Sequence, residues 1–308
     1  MDSILITGGA GFIGSHCALT AQEKWPDARI TVLDDFRSGD FKNLEGFRGD
    51  VVAMDLADLD LDVQFGNQRF DAVFHMASIT DTRDTDQGAH IHDNVEGFRN
   101  LLTFLAPQKA PVVYASSAAT YGIAEKINRI GDPPKPANVY AFSKVIMDNL
   151  ADTFRNQATG WEITGLKFFN VYGPKEAHKG VPASMILHLA RQMQKGERPR
   201  IFEMGEQKRD FIYITDVINM IFLALEKKTP PLLNIGTGQP RSFNELVQVL
   251  NRVLGTALKP DYIKNPYPFY QPHTEADISE TQECLECEIK FPLEKGIQDY
   301  AESGCLLL

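Results

Sequence analysis

Short apolar runs recur through the first half of the chain, each bounded by glycine, proline or acidic residues, with longer amphipathic stretches between them. Ile4-Leu5-Ile6, Ile30-Thr31-Val32-Leu33, Val51-Val52-Ala53-Met54, Ala72-Val73-Phe74-His75 and Pro111-Val112-Val113-Tyr114-Ala115 are too short for helices. They are rich in β-branched and aromatic residues, so they read as strands, with Ile4-Leu5-Ile6 a buried one. Helical patterns begin near Ser15 and cover Val95–Leu105 and Val139–Gln157; Ile163 to Phe169 then returns to the sheet. This alternation predicts an α/β fold, a doubly wound parallel sheet of Rossmann type. The polar stretch from Gly122 to Asn138 holds Pro133, Pro134 and Pro136 and reads as a surface loop. Beyond Gly173-Pro174 the pattern turns irregular. Residues 1–172 are expected to form the sheet domain, with segments near 212–237 returning to it, and residues 173–308 mainly a smaller C-terminal substrate domain.

The first strand runs directly into Gly8-Gly9-Ala10-Gly11-Phe12-Ile13-Gly14, and a helix pattern follows. Glycines at this spacing let a pyrophosphate approach the backbone N–H groups of a helix N-terminus. That makes the first domain a candidate NAD(P)-binding domain, with Gly8, Gly11, Phe12, Ile13 and Gly14 at the phosphates. The second strand ends at Asp34, where a carboxylate accepts hydrogen bonds from the adenosine ribose. Asp35 beside it repels a 2′-phosphate and favours NAD; Arg37 and Lys42 can offset that repulsion, which leaves NADP open. Asp55 and Leu56 stand at the expected adenine edge. Met76, Ala77, Ser78, Asn94 and Val171 complete the candidate cofactor contacts.

Tyr140 and Lys144 lie one helical turn apart, on one face of the Val139–Gln157 stretch. An ammonium beside a phenol favours the phenolate, so Lys144 is expected to make Tyr140 more acidic. A phenol tuned in this way can exchange a proton with a sugar hydroxyl near neutral pH. Ser117, just after the Val112–Ala115 strand, sits where doubly wound sheets bind ligands. Its hydroxyl is a candidate partner for the oxygen of the reacting carbon.

The bulk numbers restrict the partners. The chain has 308 residues and a formal net charge of −10, which argues against nucleic acid and anionic membranes. No apolar run approaches the roughly 20 residues needed to span a bilayer, and the N-terminus enters a strand pattern at once; a cytoplasmic protein is expected. Four cysteines are too few for a disulfide scaffold, and Cys284-Leu285-Glu286-Cys287 has no second pair or nearby histidine, so no metal site is expected.

Together these residues resemble the extended short-chain dehydrogenase/reductase superfamily of nucleotide-sugar epimerases and dehydratases. The likeness extends through Phe169-Asn170-Val171-Tyr172-Gly173-Pro174, Arg209-Asp210-Phe211 and Asn234-Ile235-Gly236-Thr237-Gly238. The 4,6-dehydratases of that superfamily carry an Asp-Glu pair after the active-site hydroxyl residue, where this chain has Ala118-Ala119. The resemblance therefore implies epimerisation. Tyr114 to Gly122, Asn138 to Tyr140, Tyr172 to Gly180, Ile201 to Glu203, Lys208 to Phe211 and Tyr270 to Asp277 look like the ADP-glyceromannoheptose 6-epimerases of lipopolysaccharide biosynthesis. That likeness implies a nucleotide-diphosphate sugar substrate, with Tyr140 and Lys179 as alternate bases. It places Ser117, Asn170, His188, Phe202, Arg209 and Tyr270 on the substrate, Arg209 gripping the diphosphate. It also implies a homo-oligomer paired through helices flanking the sheet. Val181 stands where the family usually has Ser, and Asp35 where it has Asn beside an NADP preference. A UDP-hexose 4-epimerase, a net reductase and a non-catalytic nucleotide-sensing protein are the alternatives.

Overall fold

The computed structural model describes residues 1–123, 127–266 and 271–306. Strands β1 (Ser3–Thr7), β2 (Arg29–Asp34), β3 (Asp50–Ala53), β4 (Ala72–His75), β5 (Val112–Ser117) and β6 (Ile163–Phe168) join Leu232–Ile235 in a seven-stranded sheet. Its order is β3-β2-β1-β4-β5-β6 followed by Leu232–Ile235, and the pairings among β1 to β5 are parallel. The order reverses between β1 and β4, and ligands of doubly wound sheets bind in the crevice that such a reversal opens.

Two compact units divide the chain. The first comprises Met1–Thr120, Pro136–Lys167 and Ile221–Leu233; the second comprises Tyr121–Lys135, Phe168–Met220 and Asn234–Leu308. In the first unit, β4, β5 and β6 carry buried residues throughout and β1 at every position after Ser3, the pattern of strands covered on both faces. Leu5, Val73, Phe98, Leu101, Val112 and Met147 belong to one continuous core. Helix Val139–Gln157 starts where Asn138 Oδ1 accepts the Ala141 N–H at 2.8 Å. It buries Tyr140, Ser143, Lys144, Met147 and Ala151 on one face.

The helix expected from Val95 begins earlier and irregularly: Ile91–Glu96 is a π-turn that feeds into helix Gly97–Leu105. A π-turn widens the helix by one residue, and its cause is visible in Asn94, whose side chain is drawn fully into the interior. Phe211–Tyr213 pairs with Asn170–Tyr172 in a two-stranded ladder of the second unit, outside the main sheet. Among the described residues no helix is long and apolar enough to cross a membrane.

The second unit is organised around a buried carboxylate. Asp210 is fully buried and accepts the N–H groups of Thr237 (2.7 Å), Gly238 (2.9 Å) and Ala276 (3.0 Å) and the Thr237 hydroxyl (2.6 Å). Three segments distant in sequence thus meet on one charge. Helix Phe243–Leu254 is fixed at its start by a capping box of Ser242 and Glu245 and ends at Gly255 in the left-handed conformation. Asp210→Ala strands three backbone donors in the interior. Urea unfolding should report a loss on the order of 3 kcal/mol or more, and Asp210→Asn a smaller one, because an amide oxygen still accepts.

Candidate active site

The glycine turn is shaped by close approach. Gly8 has φ +67°, and a Cβ there would meet Ala77 N at 2.5 Å; a Cβ on Gly14 would meet Gly8 O at 2.1 Å. Helix Phe12–Lys24 therefore starts hard against the end of β1, with Gly11 as its N-cap and no side chain capping the first turn. Its leading N–H groups suit a pyrophosphate, and the absence of a Cβ at Gly8, Gly11 and Gly14 suits close approach of the same group. Asp34 is nearly buried: Oδ2 accepts the Ala10 N–H at 2.8 Å and Oδ1 the Phe36 N–H at 2.9 Å. These bonds fix the carboxylate at the end of β2, beside the glycine turn. The residues present fit a dinucleotide.

On the other side of the order reversal, Met76 N–H donates to Thr7 O (3.0 Å) and ties the end of β4 to β1. Asn94 Oδ1 accepts from Ser78 Oγ (3.0 Å) and Ile79 N–H (2.7 Å), while Nδ2 donates to Ser143 Oγ at 2.9 Å and Ile79 O at 3.2 Å. One amide thereby joins the loop after β4 to the helix carrying Tyr140. Leu56 is buried, and Asp55 is held by Arg37.

Ser117, Tyr140 and Lys144 come together in the first unit, all buried. Lys144 Nζ donates to Ala115 O at 2.7 Å and stands 5.9 Å from the centroid of the Tyr140 ring. Burial lowers the Lys144 pKa to about 7, against a partial rise from Asp148. The expected acidification of Tyr140 by Lys144 is corrected here: burial raises the phenol, and the Ser117 hydrogen bond is what opposes it. The ammonium points at a backbone carbonyl rather than at the phenol oxygen, so desolvation outweighs the charge. Ser117 Oγ also accepts the Ala119 N–H at 3.1 Å, which leaves its proton for an oxygen partner.

Behind these groups runs a network that the sequence reading missed. Asp148, one turn beyond Lys144, accepts from Tyr114 OH (3.0 Å) and Lys167 Nζ (2.7 Å). Lys167 also donates to Thr120 Oγ1 at 2.8 Å, and Thr120 Oγ1 donates to Ser117 O at 2.8 Å. The i, i+4 spacing from Lys144 was the available signal for Asp148. His90 was missed as well; it is fully buried, edge-on to the Tyr140 ring with centroids 6.3 Å apart.

In the second unit the loop from Gly173 to Ser184 is built on Glu176. This fully buried carboxylate accepts Gly173 N–H (3.2 Å), Ser184 N–H (2.6 Å) and Ser184 Oγ (2.8 Å). Lys179 N–H donates to Glu176 O at 3.1 Å. Burial pushes the Lys179 ammonium below the ordinary lysine range, and Glu176 partly restores it. His178 Nδ1 lies 2.8 Å from Lys175 O and His188 Nε2 3.1 Å from Val181 O, so both rings brace this loop. Arg209 is nearly buried, with Nη1 donating to Lys208 O at 2.9 Å and its guanidinium 5.8 Å from the Phe243 ring centroid. The neighbouring carboxylates are engaged elsewhere: Asp210 as above, and Asp216 with the N–H groups of Lys290 and Phe291. Asn170 Oδ1 accepts from Thr274 Oγ1 at 3.2 Å; Val171 lies in the Asn170–Tyr172 strand and Phe202 ends the Arg200–Phe202 strand. Tyr270 lies outside the described residues.

Comparison with known proteins follows the same lines. The chain is 36% identical to the ADP-L-glycero-D-manno-heptose-6-epimerase of Brachyspira hyodysenteriae, over 97% of this chain and 96% of that protein. It is similar to the crystal structure of the enzyme of the same name from Helicobacter pylori, with TM-score 0.89 and 42% identity, covering 98% of this chain and 96% of that one. It is also similar to the UDP-glucose 4-epimerase of Thermotoga maritima bound to UDP-glucose, with TM-score 0.89 and 28% identity, covering 97% of each chain. A family model matches residues 4–236, which hold the sheet, the glycine turn and the Ser117–Tyr140–Lys144 set, and the chain belongs to the NAD dependent epimerase/dehydratase family.

Proposed function

We propose that this chain is a nucleotide-sugar epimerase that inverts one carbinol centre, with an ADP-activated glyceromannoheptose as substrate and C6 as the centre. The buried set of Ser117, Tyr140 and Lys144 carries the reaction class. The sugar rests on identity to two enzymes named for that reaction, 36% over 97% of the chain and 42% over 98%. Bound NAD would supply the hydride acceptor for the sugar carbon and, once reduced, the donor for the other face, with no net oxidation. Asp34, the glycine turn and the first amides of helix Phe12–Lys24 hold the dinucleotide.

Tyr140 moves the proton of the reacting hydroxyl. Ser117 donates a hydrogen bond to the same oxygen or to the phenolate, which is the state that this bond favours. Lys144 supplies the positive charge beside the phenol, and Asp148 helps to keep that charge in place. Inversion moves the oxygen of the reacting carbon, so a second acid/base is required; Lys179, with its lowered pKa, takes that role. Arg209 grips the diphosphate, with Asn170, His188, Phe202 and Tyr270 on the rest of the substrate. The same reading places the protein in the cytoplasm as a homo-oligomer. Phe142, exposed on helix Val139–Gln157, is an apolar side chain that pairing through this helix would cover. A UDP-hexose 4-epimerase is the second reading, supported by the 28% identity to such an enzyme over 97% of the chain.

Incubation with ADP-D-glycero-D-manno-heptose, followed by NMR, should yield the L-glycero epimer without added cofactor. UDP-glucose turning over while the heptose does not would replace the first reading by the second. Tyr140→Phe should lower kcat by roughly 10²–10⁴-fold. Lys179→Met should do so for a two-base heptose epimerase and spare a 4-epimerase.

The pH profile tests Lys144. Its charged form is present below its folded pKa of about 7 and disappears as pH rises through that value. The kcat/KM of the enzyme should therefore fall on an alkaline limb near neutrality. Asp148→Asn removes the group that raises this pKa, so the limb should move to lower pH.

A further inference from the structure

The loop that carries Lys179 is backed by the C-terminal helix. Helix Leu293–Glu302 packs on the ladder of Asn170–Tyr172 and Phe211–Tyr213, and the strand Asn170–Tyr172 runs straight into the loop. Two contacts fix the helix there. Tyr213 OH donates to Asp299 Oδ2 at 2.6 Å, and Gly296 comes so close to Tyr172 that a Cβ would stand 2.1 Å from its hydroxyl. The same helix presents Tyr300, which is fully buried. Among the described residues its hydroxyl has no hydrogen bond of ordinary geometry. It stands beside the Glu176 carboxylate, and burial together with that charge pushes the phenol far above the ordinary tyrosine range, so it keeps its proton.

A carboxylate offers roughly four acceptor positions. Three at Glu176 are taken, by Gly173 N–H and Ser184 Oγ on Oε1 and by Ser184 N–H on Oε2. Two donors face what remains: the Lys179 ammonium, which Glu176 favours against burial, and the Tyr300 phenol. We propose that Glu176 is the positioning residue of the second acid/base, an anion that holds the Lys179 ammonium to the loop, and that Tyr300 closes its cage from the C-terminal helix. The inference deepens the proposed function and rests on Lys179 acting there. A buried lysine needs a counter-charge if it is to give up a proton and recover it rather than stay neutral. Tyr300 matters because Glu176 is buried too: burial raises the carboxyl, and each donor that reaches it favours the charged form. Without the phenol, Glu176 takes up a proton at higher pH, and its hold on Lys179 goes with its charge. Tyr172 also faces Glu176, and Arg191 and Cys305 act on Tyr300; all three stay in place in the variants below. His178 and His188 are engaged with backbone carbonyls of the loop.

Nuclear magnetic resonance of protein labelled with carbon-13 at lysine Cε tests this, with the Lys179 signal identified by its loss in Lys179→Met. In the wild type the signal should show a main step below the ordinary lysine range, from Lys179, and a smaller step at lower pH, where Glu176 loses its charge. Glu176→Gln should remove the smaller step and move the main one down by at least about one pH unit. Tyr300→Phe should keep both steps and move the smaller one up by about half a pH unit or more. With the proposed substrate both variants should lower kcat, Glu176→Gln by about tenfold, with KM little changed, because both side chains act through Lys179. Circular dichroism checks folding; should Glu176→Gln not fold, the smaller step in Tyr300→Phe decides alone. A main step unmoved in Glu176→Gln, or a smaller step unmoved in Tyr300→Phe, would overturn the proposal. Both shifts in a protein that does not turn over the heptose would support it and overturn the substrate reading. Unimpaired heptose turnover by Lys179→Met would overturn the second-base assignment and this inference with it.

Discussion

A lysine ammonium held in the interior is the interaction on which the first unit turns. Lys144 is 1% exposed, and a charge so placed is costly unless its protons are taken up. One goes to Ala115 O, in the second half of strand β5. That bond fixes how helix Val139–Gln157 lies on the sheet, and so where Tyr140, one turn earlier, meets Ser117. Burial lowers the Lys144 pKa, and Asp148 one turn later raises it again. The helix therefore presents phenol, ammonium and carboxylate at successive turns of one face. Asp148 is itself paired with Lys167 on β6, so the helix is tied to two adjacent strands by charged groups. Such pairs contribute less to net stability than to a single allowed geometry, which is what proton transfer to a sugar requires.

Much of the first unit could be read from the chain because its signals are local. Buried parallel strands are short apolar runs, and β1, β2, β4 and β5 all lie where such runs fall, within a residue or two at their ends. The glycine turn and Asp34 are legible because backbone approach and a strand-end carboxylate leave a fixed spacing. The Tyr–Lys pair is legible because it occupies one turn of one helix. The π-turn at Ile91–Glu96 was not legible, since it arises from the long-range demand of Ile79 and Ser143 on Asn94. Lys167 escaped for the same reason: its bonds to Asp148 and Thr120 depend on β5 and β6 being neighbours.

The pKa of Tyr140 is instructive because the expectation used a correct principle with the wrong dominant cause. Sequence spacing puts a cation near the phenol but says nothing of how deeply both are buried. The structure supplies that depth, and desolvation then outweighs the charge. In the second unit the opposite holds for Glu176 and Asp210. A sequence offers them as ordinary surface acids, yet both are fully buried and saturated by backbone donors. Their task is to shape the loops that carry Lys179 and Arg209.

The balance of acids and bases also favours reversible proton exchange over elimination. Expelling water from a sugar needs an acid to protonate the leaving hydroxyl and a base for the carbon-bound proton. After Ser117 the chain turns through Ala118–Tyr121, and neither alanine can do either job. The carboxylate in that network, Asp148, is committed to Tyr114 on β5 and Lys167 on β6. What remains at Ser117 is a hydroxyl, a phenol and an ammonium, groups that pass one proton back and forth without consuming it. An inversion by oxidation and return of the same hydride has that symmetry, because its two half-reactions are chemical reverses of each other.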